Sequence, residues 1–551
     1  MNRTLARVRG LLPAAADYAL LRRSWRGDLL AGVTVGIVAL PLALGFGISS
    51  GAGAEAGIVT AIVAGVVAAV FGGSNVQVSG PTGAMVVVLA PIVASHGVGA
   101  VALVSILAGV IVLVAGAARL GRAVSFIPWP VIEGFTLGIA VIIFLQQVPS
   151  LTGPAPHGGS STNVVIAAVA SLLAADPGYL LWALGAVAVV AACMILLPKL
   201  HRAIPGSLVG IVLVTVLAAL VPNPLAEIGA LPRSLPAPTF PAFDPGTLGE
   251  LALPALTVAA LAAIESLLSA RVAASLADTG PYDPDRELVG QGLASVAAGL
   301  FGGMPATGAI ARTAVNVRSG ARTRLAAVVH AAVLLLVVLV AAQPVGLIPL
   351  AALAGVLMVT AVRMVHLATV RSIVRSTRAD ALAFVITAIV TISVDLIVAV
   401  VIGMLVAGVF AIRSLSRATG VAREPLPGEA VAGDERIAII RLDGPLFFAA
   451  ADRVFDTVTA LDGVSVVILR MSQLELVDAT GAHVLSEIVR RLEARGVTVL
   501  IKGVREGHVV LFRTVGVLGA LRHHKHLFAE LPAALAHARS HIERERAASA
   551  D

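Results

Sequence analysis

Apolar residues in this chain come in long runs, not in alternation. Runs of around 18 apolar residues, separated by short polar or Gly/Pro-rich stretches, recur between residues 28 and 413. Such runs predict membrane-spanning helices, because a helix satisfies its own backbone in lipid and an open strand does not. They fall near 28–46, 55–72, 76–94, 99–118, 124–145, 179–197 and 204–221 in a first half of about 28–221. A second half of about 251–413 holds 251–270, 288–303, 307–317, 323–341, 346–362, 380–395 and 396–413. The pattern predicts a polytopic α-helical membrane protein with 14 transmembrane segments in a transporter domain over 28–415. Several pieces, notably 307–317, are too short to cross a bilayer and are expected to be half-helices preceded by extended backbone.

Near residue 420 the pattern changes. Residues 416–433 read as a linker and 434–540 as a small α/β domain, followed by a tail at 541–551. Ile437–Leu442, Val464–Leu469 and Val497–Ile501 are strand-like, and helical patterns lie between them at about 449–460 and 480–495. Strands alternating with helices predict a layered α/β unit.

Basic residues orient the segments. An N-terminal arm, 1–27, carries Arg3, Arg7, Arg9, Arg22, Arg23 and Arg26. Counting alternately from an inner start, Arg119/Arg122, Lys199/Arg202, Arg271/Arg286, Arg318/Arg322/Arg324, Arg363/Arg371/Arg375/Arg378 and Arg413/Arg417 all fall inside, while the outer loops hold essentially only Arg233. The expected arrangement is a multi-pass cell (inner) membrane protein with both termini and the α/β domain cytoplasmic. The outer connections 146–178 and 222–250 are rich in Pro, Gly and Ser and read as caps. The first 27 residues are arginine-rich and show no cleavable signal peptide.

Composition agrees with this picture. The 551 residues are 58% hydrophobic and 13% charged, against roughly half and a quarter for soluble domains. The single cysteine, Cys193, lies in an apolar run and excludes a disulfide framework. The net charge of +7 reads as topological anchoring, so nucleic acid is not an expected partner.

Two interruptions of the apolar pattern resemble each other. Ser79-Gly80-Pro81-Thr82-Gly83-Ala84-Met85 and Pro305-Ala306-Thr307-Gly308-Ala309-Ile310 each place Thr-Gly-Ala after a proline, about 225 positions apart. Paired Gly/Pro breaks in two halves of a membrane chain point to a transporter binding site. Thr82 and Thr307 stand at the starts of the half-helices, where each could either donate a hydroxyl hydrogen bond to a substrate or cap its helix. Gly83 and Gly308 allow close approach of backbone to a ligand or to other backbone. Arg312, one turn into the second half-helix, adds a guanidinium to the positive end of a helix, a setting suited to an anion.

Ionisable residues inside spans are functional candidates. Glu265 shares a helical face with Ser269, four residues on. A carboxyl group held among apolar residues can gain and lose a proton during transport, or can pair permanently with a base such as Arg312. Glu133 and Asp395, near span ends, read as structural or interfacial, and Gln77 and Gln291 could face a polar cavity. In the α/β domain Asp478 reads as an N-cap and Thr480 as a candidate phosphoacceptor at a helix N-terminus, with capping and turn chemistry as the simpler alternative. No nucleophile–base arrangement, metal-ligand cluster or phosphate-cradling loop stands out, so neither an enzyme nor a cofactor is expected.

These motifs resemble those of the SulP/SLC26 (sulfate permease) family of anion transporters over nearly the whole chain. The matching pieces are Ala39–Phe46, Ser79–Met85, Ala263–Ala270, Glu287–Gly292, Gly302–Thr313 and Asp395–Val400, and 436–540 is similar to the family's STAS domain. The resemblance implies a 7+7 inverted repeat with core and gate domains, homodimerisation and elevator-like movement. It implies a substrate site formed by Thr82, Gly83 and Ala84 with Thr307, Gly308, Ala309, Ile310 and Arg312, and an ion-coupling role for Glu265 and Ser269. Sulfate, bicarbonate, chloride and dicarboxylates are the implied substrate classes. Sodium-dependent bicarbonate members resemble the chain in the first segments but have Asp where Glu265 stands and Thr at the position of Ile310, and lack an arginine at position 312. Animal members have serines where this chain has Ala309 and Ala311, and phosphorylated STAS relatives have Ser where it has Thr480.

The expected function is therefore secondary active transport of a small inorganic or organic anion, with H+ rather than Na+ co-transported. Sodium-coupled bicarbonate symport, anion exchange, a channel, a nucleobase permease and a membrane sensor signalling through the STAS domain are the alternatives. Membrane lipid, a second copy of the chain and a cytoplasmic regulator at the STAS domain are the further expected partners.

Overall fold

Where the apolar runs are long and unbroken, the computed structural model forms helices close to the expected spans. It describes residues 11–18, 20–122, 127–153, 163–200, 204–241, 245–276, 280, 282–394 and 396–548. Asp395 lies outside the described residues, as do Arg3, Arg7, Arg9 and Arg202. Two compact units result, Met1–Met404 and Leu405–Asp551.

The first half runs α1 (Leu21–Ser49), α2 (Ala54–Phe71), β1 (Ser79–Gly80), α3 (Gly83–His96), α4 (Gly99–Ala117), α5 (Trp129–Gln146), α6 (Val148–Thr152), α7 (Val164–Leu173), α8 (Pro177–Leu200) and α9 (Gly206–Leu220). The second runs α10 (Pro245–Leu276), α11 (Pro284–Leu300), β2 (Thr307–Gly308), α12 (Ile310–Arg318), α13 (Leu325–Gly346), α14 (Leu350–Met364), α15 (Leu367–Arg375), α16 (Arg378–Ser393) and α17 (Leu396–Ala418). Setting aside the short α6, α7 and α15, one order occurs twice: two helices, a strand with a short helix, then four helices. Each of the fourteen expected segments has a counterpart. Among the described residues, nine helical stretches are long and apolar enough to cross a membrane unaided.

Packing divides the helices of this unit into two groups. In one, α4 and α2 pack on α11, α1 packs on α13, and α10 packs on α4 and α12. In the other, α5 packs on α16 and α8 packs on α9 and α14. This is the division expected of core and gate.

Several boundaries differ from expectation. The segments expected at 76–94 and 307–317 become helical only at Gly83 and Ile310, because the residues before them are held extended by pairing with each other. The stretch 222–241 is pinned to the chain at the end of α13 and before α14: Ile228 N–H donates to Ile348 O and Gly229 N–H to Gly346 O, both at 3.0 Å. The apolar side chains of α15, a helix not foreseen, alternate with Arg371 and Arg375.

The expected linker 416–433 is only partly a linker. Residues Gly420–Glu424 form β3, which pairs antiparallel with β4 (Ile437–Leu446). β4, β5 (Val466–Val477), β6 (Thr498–Lys502) and β7 (Leu527–Phe528) continue the sheet in parallel. Helices α18 (Phe448–Thr459), α19 (Ala479–Ala494) and α20 (Glu506–Val515) join the strands, and α21 (Leu531–Ala548) ends the unit. Val454, Leu485 and Phe512 close the core on one face, and Ala534, Leu535, Ala538 and Ile542 of α21 cover the other. The order β3-β4-β5-β6-β7 matches the predicted layered α/β class.

Glu424 ties β3 into the sheet, bonding Arg441 Nη1 at 3.0 Å and Arg470 Nη1 at 2.8 Å. Partial burial pushes the Glu424 carboxyl up, but the hydrogen bonds and charges of Arg470 and Arg441 outweigh it and hold it below the usual carboxylate range. A carboxylate lowered by folding adds stability above its unfolded pKa, and that stability disappears as pH falls through the folded value. Glu424→Gln should therefore lower the thermal midpoint of the C-terminal unit in the full chain by about 1–4 °C at pH 7. The difference from wild type should close below about pH 4. Differential scanning fluorimetry across pH checks both; a difference independent of pH would contradict the assignment.

Candidate functional site

Pro81 and Pro305 break the helical pattern, and the two extended stretches they leave meet at the centre of the membrane unit. β1 and β2 pair antiparallel, Ser79 opposite Gly308 and Gly80 opposite Thr307, and Ala309 N–H donates to Val78 O at 2.9 Å. Because the strands run oppositely, α3 and α12 leave this ribbon in opposite directions with both N-terminal ends close to it. Neither start carries a side-chain cap: the N-cap residues are Thr82 and Ala309, and neither side chain bonds its own helix. The first N–H groups of both helices are thus left for another acceptor, which adds to the positive end of each dipole.

The threonines have other partners. Thr82 Oγ1 donates to Glu265 Oε2 at 2.8 Å. Thr307, fully buried, donates to Ala262 O at 3.2 Å and lies 2.9 Å from Ser266 Oγ, which accepts the Gly308 N–H at 3.1 Å. The Thr307 hydroxyl thus braces β2 against α10. Ser269, expected beside the coupled ion, is also braced, donating to Thr313 Oγ1 at 3.2 Å, which accepts the Val78 N–H at 3.1 Å. Glu265 as a whole residue is half-buried, whereas Ser266 and Ser269 are fully buried.

Arg312 is 2% exposed, donates from Nη2 to Pro81 O at 2.5 Å, and leaves Nη1 without a hydrogen-bond partner. Among the described residues it forms no ion pair, so the expected alternative of a permanent Arg312–Glu265 bridge is not what the structure contains. Gly83 and Gly308 do serve close approach. A Cβ at Gly83 would lie 2.0 Å from Ile143 Cδ1, and one at Gly308 would lie 1.6 Å from Gln77 Nε2. Ala84 and Ala309 are buried, Ile310 is half-buried, and Ala311 is exposed on the first turn of α12.

Other polar residues have structural partners. Gln291 Nε2 donates to Ser79 Oγ at 2.5 Å and to Glu287 Oε1 at 3.0 Å, so it buttresses β1. Glu133 accepts from Trp129 Nε1 at 3.1 Å, in keeping with an interfacial role. Gln77 is buried against Gly308 with both amide atoms unpartnered. In the C-terminal unit Asp478 caps α19 by accepting the Gly481 N–H at 2.7 Å, and Thr480 is exposed on the first turn.

Sequence reasoning overlooked Ser266, which touches both Thr307 and Gly308, and His330, fully buried on α13 with neither ring nitrogen hydrogen-bonded. Both signals were present: a small polar residue next to Glu265, and an ionisable residue in mid-span.

Comparison with known proteins agrees with this architecture. The sulfate permease family profile matches residues 25–387, and the STAS domain profile matches 430–534. This chain belongs to the sulfate permease family. A putative sulfate transporter, YvdB of Bacillus subtilis (strain 168), is 36% identical over 508 residues, covering 90% of this chain and 94% of the relative. The bicarbonate transporter BicA of Picosynechococcus sp. is 32% identical over 462 residues, covering 78% of this chain and 80% of the relative. The solved transmembrane domain of a cyanobacterial BicA is 33% identical with a TM-score of 0.62, covering 70% of this chain and 98% of that one. The structure of SLC26A9 shares the fold with a TM-score of 0.82 at 17% identity, covering 99% and 95%. The sulfate permease homologue described here is therefore a multi-pass membrane protein of an anion-transporter family with a C-terminal STAS domain.

Ser266→Ala should leave the Gly308 N–H without its acceptor and lower unfolding free energy by roughly 1–3 kcal/mol. Reversible unfolding in mixed micelles measures this; an unchanged midpoint would show that Ser266 does not brace the ribbon.

Proposed function

We propose that the protein carries out secondary active uptake of a small anion, of the sulfate, bicarbonate or dicarboxylate class, with a proton as the coupled ion. The observation that carries this reading is the pair of uncapped helix starts at Thr82 and Ala309, tied to one ribbon and flanked by the buried Arg312. An anion lodged between the two starts would accept backbone N–H bonds from Gly83–Ala84 and Ile310–Ala311. Two converging dipole ends favour it without any cationic side chain in contact. Arg312, held to Pro81 O, adds positive field and orients the turn into α3.

Glu265 supplies the coupling. Its carboxylate bonds Thr82, the residue that opens α3, so a bound anion and an ionised Glu265 would share one small region of low dielectric and repel. Neutralising the carboxyl with a proton removes that repulsion, so anion and proton stabilise each other's binding by the same factor. The cargo names of YvdB and BicA, sulfate and bicarbonate, both denote oxyanions able to accept several N–H bonds. Movement of the α1–α4, α10–α13 group past the α5, α8, α9, α14, α16 group as an elevator, in a homodimer in the cell membrane with both termini cytoplasmic, completes the proposal.

Proteoliposome uptake of labelled sulfate, bicarbonate and succinate under imposed proton or sodium gradients tests it. Glu265→Gln should retain anion binding but lose the response to a proton gradient; an unchanged proton dependence would remove Glu265 from the mechanism. Arg312→Gln should weaken anion affinity by about tenfold, about 1.4 kcal/mol, through loss of the nearby positive field. Arg312→Lys should recover part of the loss if charge is what matters.

A further inference from the structure

Three histidines of the C-terminal unit, separated in sequence, come together in the fold. His526 ends a short turn (His524–His526) just before β7, and His537 and His541 stand one helical turn apart on α21. β7 joins the sheet edge through Leu527 opposite Ile501 and Phe528 opposite Lys502. α21 lies across the sheet through Ala534, Leu535, Ala538 and Ile542, and the face carrying His537 and His541 thereby meets the turn.

The three rings crowd one another. Centroids are 5.4 Å apart for His526 and His537, 5.6 Å for His526 and His541, and 5.0 Å for His537 and His541. One ring nitrogen from each lies within 4.8 Å of the other two, and Nε2 of His537 is 3.3 Å from Nε2 of His541. His526 is 4% exposed, and its Nδ1 has no hydrogen-bond partner. Glu545, a turn beyond His541, has its carboxylate 2.6 Å from Arg436 Nη2 and so is engaged elsewhere.

Three imidazoles with ring nitrogens this close offer ligand atoms to one shared positive centre. Zinc–nitrogen bonds of about 2.0–2.1 Å at the tetrahedral angle put two ligand nitrogens roughly 3.3 Å apart. The His537–His541 pair already has that spacing, and a His526 ring nitrogen lies within 4.8 Å of both.

We propose that His526, His537 and His541 form a binding site for one divalent transition-metal ion of the zinc class, with water or an external ligand in the fourth position. Three imidazoles suit zinc, nickel or copper and do not suit magnesium or calcium. The ion would join the sheet-edge turn to the C-terminal helix, and the proposal is independent of the transported anion.

The test uses the full-length protein in detergent micelles, free of any polyhistidine tag and stripped with EDTA. Zinc retained after gel filtration is counted by elemental analysis, and Co2+ is titrated while visible absorption is recorded. One equivalent of zinc per chain, a low-coordinate Co2+ spectrum and a zinc-dependent rise in thermal midpoint are expected. His537→Ala/His541→Ala should lose all three, and His524→Ala, outside the trio, should keep them. Should the double variant elute as unfolded, His541→Gln takes its place and should lose the bound equivalent. Wild-type protein that retains no stoichiometric zinc and gives only the spectrum of hexaaqua Co2+ would overturn the proposal. Equal metal content in wild type and the histidine variants would do the same.

Discussion

Four residues of antiparallel backbone, Ser79 and Gly80 against Gly308 and Thr307, are what the membrane unit is built around. Extended backbone deep in a membrane protein must find a partner for every N–H and C=O, since water does not supply them there and each omission costs several kcal/mol. The ribbon satisfies part of this demand, and side chains satisfy the rest. Ser266 takes the Gly308 N–H, Thr313 the Val78 N–H, Ser295 the Ala306 N–H and Thr60 the Met304 N–H. Glu287 accepts from Gly73 and Ser74, and Asn316 donates to Val76 O. These partners come from α2, α10, α11 and α12, so helix packing and the crossing depend on each other.

That requirement explains how the buried charges divide. Asp28 accepts from the Arg322 and Thr323 N–H groups and from the Thr323 hydroxyl, holding the chain after α12. Arg324 donates to Ala69 O and Gly72 O at the end of α2, and Arg286 pairs with Asp17 at 2.7 Å. Each of these groups is engaged by distant backbone or by a counter-charge away from the ribbon. Arg312 and Glu265 differ in place: both stand at the ribbon, where Arg312 bonds Pro81 O with Nη1 left over and the half-buried Glu265 bonds Thr82, the N-cap of α3. Charge placed near the crossing without a permanent ion pair can respond to an arriving ion. Charge locked into a brace cannot.

Much of this was legible in one dimension. Long apolar runs reported the helices, and Pro81 and Pro305 reported the half-helices, because both effects act within a few residues of their cause. Asp478 as a cap of α19 was readable for the same reason. The helix expected from Thr307 instead starts at Ile310, Thr307 donates to the α10 backbone, and Ser269 donates to the Thr313 hydroxyl. These outcomes depend on partners more than 40 positions away. The strand inside the supposed linker depends on pairing with β4, and the histidine trio combines a visible i, i+4 pair, His537 and His541, with His526 from a different element. His330 and Asp28 were visible as ionisable residues in apolar surroundings, but what they touch was not.

By itself, then, the sequence determined that this is a helical membrane protein with two broken segments, an appended α/β domain and the motifs of an anion-transporter family. Hydrophobic run length, proline geometry and helix capping are local in origin, and a linear string carries them. Only the tertiary structure decided that the two breaks pair residue for residue, which hydroxyls are spent on backbone, and that Arg312 meets a carbonyl and not a carboxylate. Those choices rest on satisfying buried polar groups across distances of up to 295 residues, as in the bond from Thr323 N–H to Asp28, and no local pattern encodes them.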